Sequence, residues 1–330
     1  MALIKLNHIH DFSEYSKKTT VHQFLHALPG PSVFHFSGDN SETRVITTLL
    51  HGNEPSGLRA IHRLLREGFQ PVYQTKLIVA SVTAAKTEPE FTHRMLPGKA
   101  DLNRCFDDSC SGLQGKLAQS IREHIQQWQP SLVVDIHNTS GSGPAFSVAT
   151  CEDEKNSMLA SYFCQRQIVT DIQLGSLMEC EFGCPTITIE AGGAQDNEAD
   201  ITAYNGIKGL LSAKKLSVQR DVEILNRPRR LELHPSLSIG YLSFYDEQFD
   251  VCVRPDIEKF NFGITKKGTI LAHVSQDGFH KLMLDNGKVT DGFFNWQNNT
   301  LSAACDLKLF MVTSNPEIAK SDCLLYFVAV

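Results

Sequence analysis

The sequence predicts an α/β protein, a mainly parallel mixed sheet flanked by helices at residues 1–216, followed by a smaller all-β domain at 217–330. Three observations predict it. Apolar runs too continuous to face water on one side recur along the first two-thirds of the chain, as in a sheet covered on both faces. Segments with helical spacing of apolar residues separate them, the signature of strand–helix units. After about residue 216 the helical period disappears, and short apolar runs are broken by Gly, Asn and Asp.

The elements follow in chain order. RVITTLL (44–50) reads as a buried strand, and SGLRAIHRLLREG (56–68) as an amphipathic helix ended by Gly68. KLIVASVTA (76–84) is the next apolar strand. The polar stretch from Lys86 to about Gly112 is longer than a minimal connection and is a candidate functional loop. LQGKLAQSIREHIQQWQ (113–129) is a helix stopped by Pro130, SLVVDIH (131–137) a strand, and PTITIEAGG (185–193) a strand running into glycines. Glu198 to Lys214 returns to helix. In the second domain YLSFYDE, ITKKGTILAHV and KLFMVT are the strand candidates. No internal repeat or low-complexity segment interrupts the pattern.

Composition narrows the classes of function. A chain of 330 residues with 42% hydrophobic and 21% charged residues has ample core and the composition expected of a soluble globular protein of enzyme size. A formal net charge of -6 offers no basic patch for nucleic acid. No apolar run approaches the ~20 residues of a membrane span. The opening MALIKLNHIHDFSEYSKK lacks an apolar signal region, so a cytoplasmic protein is expected. The nine cysteines are scattered with no CxxC pair, which fits reduced thiols, and Cys180 and Cys184 read as small buried hydrophobes.

The chemistry-bearing residues gather at strand ends. HGNEPSG (51–57) follows the first strand and supplies His51 and Glu54. By itself it reads equally well as an ordinary strand-to-helix loop, with Glu54 near the helix start. His137 ends SLVVDIH, and Glu190 lies near the end of PTITIEAGG. Ligands of open α/β sheets bind outside the carboxyl ends of the strands. A lone strand-end histidine is more often structural, but convergence of all four residues on one sheet edge favours a metal site. Catalytic Zn²⁺ takes three protein donors, His₂Glu among the recognised sets, and leaves a position for water. It lowers the pKa of that water from 15.7 to roughly 7. A carboxylate outside the donor set, here Glu190, can then take the water's proton as general base. The spacing is not the helical HExxH, because these donors come from separate strands.

The loop segment HRMLPGKADLNRCF (93–106) contributes Arg94, Asn103 and Arg104. An arginine clamps a carboxylate with two parallel hydrogen bonds, or stabilises the oxyanion formed when hydroxide adds to a carbonyl. A solvated loop with a structural Asp101–Arg104 pair fits the same residues.

HGNEPSG, DLNRCF, DIHN and ITIEAGG, in this order, resemble the succinylglutamate desuccinylase/aspartoacylase family, a branch of the zinc carboxypeptidase superfamily. The resemblance spans about residues 44–212 and implies a zinc-carboxypeptidase-like catalytic domain with a β-rich C-terminal domain. It implies one Zn²⁺ held by His51, Glu54 and His137, with Glu190 as general base. It further implies that Arg94 polarises the scissile carbonyl, and that Asn103 and Arg104 hold a substrate carboxylate. One departure stands out. Aspartoacylases carry an arginine upstream of the catalytic glutamate for the substrate's acidic side chain, where SLMECEFGC here supplies Glu179 and Glu181. If these two are strand neighbours they share a face, and the expected preference is for neutral or basic N-acyl amino acids.

The leading expectation is a zinc-dependent amidohydrolase acting on an N-acyl amino acid or a related small substrate with a free carboxylate. A metallocarboxypeptidase acting on short peptides is the nearest alternative, and a non-catalytic metal-dependent binding protein the next. Partners other than substrate are limited to a homo-oligomer, which the sequence leaves open.

Overall fold

The computed structural model describes residues 4–139, 141–284, 287–288, 292–321 and 323–330. These form two compact units. One holds the chain to Thr139 and Ala145–Ile224, and the other holds the stretch between those parts together with Leu225–Val330. Among the described residues no helix is long and apolar enough to cross a membrane.

The first unit is built on strands β1 (Asn7–Ile9), β2 (Ser32–Phe36), β3 (Asn40–Thr48), β4 (Tyr73–Val79), β5 (Leu132–Thr139), β6 (Phe146–Ala149), β7 (Arg166–Val169) and β8 (Thr186–Gly193), and on the first half of β9 (Glu223–Asn226), where the chain passes to the second unit. They form one mixed sheet in the order β1-β2-β4-β3-β5-β8-β6-β7-β9. Its centre is parallel, with β3 beside β4 and β5, and β5 beside β8. β2 runs antiparallel to β4, and β6 antiparallel to β8. The helices are α1 (Ser13–Ser16), α2 (Val21–Ala27), α3 (Ser56–Arg66), α4 (Val82–Lys86), α5 (Gly112–Trp128), α6 (Glu154–Ala160) and α7 (Asn197–Ser212).

Alternation along the central strands divides the core. Ile46, Val134 and Ile187 pack with Leu58, Ile61 and Leu64 of α3 and Ile207 of α7. Val45, Ile78 and Val133 point the other way, onto Leu117, Ile121 and Ile125 of α5. Those α5 residues recur every four positions and make a single apolar stripe. α5 ends at Gln129, whose φ of 46° takes the left-handed conformation just before Pro130. α2 starts on Thr20, whose side chain accepts from the Gln23 N–H.

Three readings of the sequence need correction here. The strand expected over 76–84 ends at Val79, paired with Thr48 at the end of β3, and Val82–Lys86 is helix. Apolarity alone does not separate strand from buried helix, and the alanines at 84 and 85 favour the latter. The cysteines are not all reduced thiols: Cys105 and Cys110 are joined by a disulfide with their Cα atoms 4.9 Å apart. A five-residue separation within a tight loop brings them together without a CxxC spacing. Residues before 44, given no elements from sequence, supply β1, β2, α1 and α2.

The second unit carries two sheets. Its strands are β10 (Arg229–Leu233), β11 (Ile239–Tyr241), β12 (Val251–Val253), β13 (Ile264–Thr265), β14 (Ile270–Val274), β15 (Leu282–Leu284), β16 (Gly287–Lys288), β17 (Phe294–Gln297), β18 (Thr300–Ala303), β19 (Leu307–Phe310) and β20 (Leu325–Ala329). The sheet orders are β13-β19-β20-β10-β15-β16 and β11-β12-β14-β18-β17, and Leu231, Val253, Val274, Leu301 and Phe327 belong to one shared core. Two short helices, α8 (Gln276–His280) and α9 (Pro316–Ser321), interrupt the strands.

Candidate active site

Strand register brings the predicted residues to one edge. β3 and β5 pair Thr48 with Ile136, so β3 ends one residue short of His137 while β5 runs on to Thr139. One residue on, β5 and β8 pair His137 with Glu190. Side chains at paired positions of parallel strands share a face, which sets Glu190 beside His137.

The tight turn after β3 supplies the other two donors. Leu49 takes a φ of 57°, unusual for a bulky residue, and swings the chain out of the sheet. Gly52 follows because nothing larger fits. A Cβ there would lie 2.6 Å from the His93 carbonyl oxygen and 2.7 Å from the Ala85 nitrogen. The Gly52 N–H instead donates to the Arg94 carbonyl at 2.9 Å, tying the turn to the functional loop. His51 and Glu54 are thereby carried over the strand ends.

His51, Glu54 and His137 are all buried, with potential ligand atoms within 4.8 Å of one another. Glu54 bridges the two imidazoles: His51 Nδ1 lies 2.8 Å from Oε1, and His137 Nδ1 lies 2.6 Å from Oε2. Each outer nitrogen meets another carboxylate, His51 Nε2 at 2.9 Å from Asp101 and His137 Nε2 at 2.7 Å from Asp135. A carboxylate behind Nε2 is the usual outer support of a metal-ligating histidine, and it leaves Nδ1 turned to the centre. Thr47 donates to the other oxygen of Asp135. The donor types, their closeness and the carboxylate behind each imidazole fit a Zn²⁺ ion.

The electrostatics agree with an assembled centre. Burial alone would raise the Glu54 carboxyl, but the two imidazoles outweigh it and hold it well below the usual carboxylate range. Burial likewise opposes ionisation of Asp101, and His51, Arg94 and Arg104 override it. For His137 the charges of Asp135 and Glu54 overcome burial and raise the imidazole above its ordinary value. Glu190 goes the other way. Burial, reinforced by the Glu54 charge and opposed by His137, pushes its carboxyl up to about 7. Its Oε2 is sealed from solvent and meets no hydrogen-bond partner among the described residues.

The loop residues fall on both sides of the earlier readings. Arg94 is at the site, its Nε donating to Asp101 at 2.9 Å and its Nη1 lying 3.6 Å from Glu54. Asp101 therefore pairs with His51 and Arg94, not with Arg104 as the solvated-loop alternative has it. Asn103 is buried in a 3₁₀ turn, Leu102–Arg104, and its Oδ1 accepts the Leu177 N–H at 3.0 Å. Its amide nitrogen is left to donate. Arg104 Nη1 donates to the Asn103 carbonyl at 3.0 Å.

Glu179 and Glu181 are not strand neighbours, which removes the basis for a repelling carboxylate pair. Glu179 closes a 3₁₀ turn and accepts from the N–H groups of Leu174 and Gly175 and the Ser176 hydroxyl, while Glu181 is exposed. A carboxylate at the end of so short a turn is drawn to the loop's own unpaired amides.

Three supporting residues were missed from sequence. Asp135 was legible, since it sits two residues before His137 on a strand and so on the same face. Asp101 gave no local sign, because its partner is 50 residues away. Asn138 donates to Ser56 Oγ and the Gly192 carbonyl, both at 2.9 Å, and accepts from the Ser56 N–H, bracing the start of α3.

A mixed α/β sheet with His, Glu and His at its strand ends, and the half-buried Glu190 carboxyl beside them, has the donor arrangement of a metal-dependent hydrolase. The family described as the Succinylglutamate desuccinylase/Aspartoacylase catalytic domain matches residues 41–210, more than half of the 330, and the chain belongs to that family. Among solved structures it is similar to a succinylglutamate desuccinylase from Silicibacter sp. TM1040, at 16% identity and TM-score 0.56, covering 90% of this chain and 88% of that one. The succinylglutamate desuccinylase/aspartoacylase of Rhodobacter sphaeroides gives 14% and 0.55, covering 86% and 84%. A succinylglutamate desuccinylase from Vibrio parahaemolyticus gives 12% and 0.55, covering 94% and 99%. At such identities the likeness is one of fold. No curated protein sequence matches the chain.

Proposed function

We propose that the protein is a zinc-dependent deacylase that hydrolyses the amide bond of an N-acyl amino acid or a related small substrate bearing a free carboxylate. The observation that supports this most is Glu190: a half-buried carboxyl whose sealed Oε2 meets no partner among the described residues, paired in register with His137 beside the His51–Glu54–His137 trio. A merely structural carboxyl in that position would be expected to find a donor.

His51, Glu54 and His137 would hold one Zn²⁺, which when bound supplies a Lewis acid and lowers the pKa of water to roughly 7. The remaining steps belong to the chain. Glu190 accepts the proton of the attacking water and returns it to the departing amine. Arg94, half-exposed and aimed across the trio, stabilises the negative charge that develops on the carbonyl oxygen. The Asn103 amide and Arg104 bind the substrate carboxylate and orient the scissile bond. Asp101 and Asp135 keep the imidazoles aligned.

The test is hydrolysis of a panel of N-acetyl and N-succinyl amino acids against dipeptides, with zinc-loaded wild type and Glu190→Gln. Turnover of acyl amino acids that collapses in Glu190→Gln is expected. Cleavage confined to peptides would transfer the protein to the carboxypeptidases, and no turnover on either class would favour a binding protein.

A further inference from the structure

Two imidazoles share one carboxylate a second time in this chain, at a place the proposed reaction does not use. His22 and His26 lie four residues apart on α2, a spacing that stacks them on one helix face. Opposite them the start of the Arg94 loop supplies Glu90. His22 Nδ1 contacts one oxygen of Glu90, and His26 Nε2 contacts the other. Glu54 engages His51 and His137 in the same manner.

The surroundings suit a ligand that arrives from solvent. The imidazole side chains are 60% and 57% exposed, whereas that of Glu90 is 12% exposed beneath them. The Phe91 ring stands edge-on to His22, with centroids 5.6 Å apart. Lys86 Nζ donates to the carbonyls of His26 at 3.3 Å and Leu28 at 2.6 Å, pinning the end of α2 to the foot of the loop. The helix and the carboxylate are therefore held in place while the two rings keep their outer sides open.

We propose that His22, His26 and Glu90 form a second metal site, for a divalent cation of the Zn²⁺ type, that clamps α2 to the loop carrying Arg94. Two histidines at this helical spacing can share one ion, and His₂ with a carboxylate is a recognised zinc donor set. Mg²⁺ and Ca²⁺ prefer all-oxygen ligands and are the wrong class. Only the catalytic trio already has its ligand atoms within 4.8 Å among the described residues, so binding here draws the exposed rings inward by rotation about their side-chain bonds. The ion would act on the site at a distance. Phe91 N–H is bonded to the Ala85 carbonyl at 3.0 Å, and Gly52 N–H to the Arg94 carbonyl at 2.9 Å. The braced segment thus runs from Glu90 to the turn that carries His51.

The experiment is titration of chelator-stripped full-length protein with Zn²⁺ alone, read by calorimetry and by metal content after equilibrium dialysis. Wild type should bind two ions, His51→Ala one, the His22→Ala/His26→Ala double variant one, and the triple combination none. Glu90→Gln, which leaves both rings in place, should weaken only the second ion, by at least about tenfold. Co²⁺ absorption of the double variant should retain the catalytic signal and lose one equivalent. A double variant that binds as many ions as wild type, with the same affinities, overturns the proposal and leaves a histidine–carboxylate clamp. A wild type whose single ion is lost in His51→Ala overturns it while sparing the catalytic metal. A single ion lost only in the double variant would sink the catalytic reading instead.

Discussion

Replacing Glu190 by Gln separates proton transfer from metal binding, and it carries a stability signature of its own. Burial is the main reason the carboxyl titrates at about 7 and not at its ordinary 4.5. At about 1.36 kcal/mol per pH unit, that displacement costs the ionised form on the order of 3 kcal/mol in the metal-free protein. The unfolded chain titrates near 4.5 and the folded one near 7, so the fold favours the protonated group. Its contribution to stability is fully present below pH 4.5, declines as the pH rises, and is gone above about 7. Glutamine carries no such penalty. Above pH 7, metal-free Glu190→Gln should therefore outlast metal-free wild type by up to about 3 kcal/mol, less the cost of an unpaired amide. Near pH 4.5 the two should converge. The same variant should keep its zinc and lose about 10²–10⁴-fold in turnover. Thermal melts of chelator-stripped proteins at pH 4.5 and 8, with zinc content and kcat alongside, make the check. Undiminished turnover would remove Glu190 from the mechanism, and the same difference in melting at both pH values would refute the burial argument.

Asp135→Asn takes the carboxylate from His137 Nε2, a 2.7 Å contact, and should weaken zinc binding by about 10–100-fold in a chelator competition. Arg94→Ala should lower kcat, because charge on the carbonyl oxygen grows only on the way to the transition state. Arg104→Lys should instead raise KM, since lysine keeps the charge but not the forked geometry. Steady-state kinetics with the two effects exchanged would mean that the roles are exchanged. Gly52→Ala sets a methyl group 2.6 Å from the His93 carbonyl and should destabilise the fold by about 1–3 kcal/mol in denaturant melts. A variant as stable as wild type would show that the turn has room to shift.

The sequence by itself determined the frame and the edge on which the donors gather. Apolar runs such as Val45–Ile46 and Val133–Val134 have to be covered on both faces, so they read as central strands, and a residue just past a strand end has one place to be. That is why His51, Glu54, His137 and Glu190 could be grouped before any coordinates. Local pattern was less decisive where apolar stretches are short, and Val82–Lys86 became a helix on that account. Only the tertiary structure decided which charges meet. Asp101 reaches His51 across 50 residues, and Glu90 reaches His22 across 68, and no periodicity records such pairs. Glu179 shows the reverse: a carboxylate that looked placed for substrate is taken by the amides of its own loop. Backbone patterning follows from the chain's own covalent period, whereas the partner of a charged side chain depends on how distant segments close upon one another.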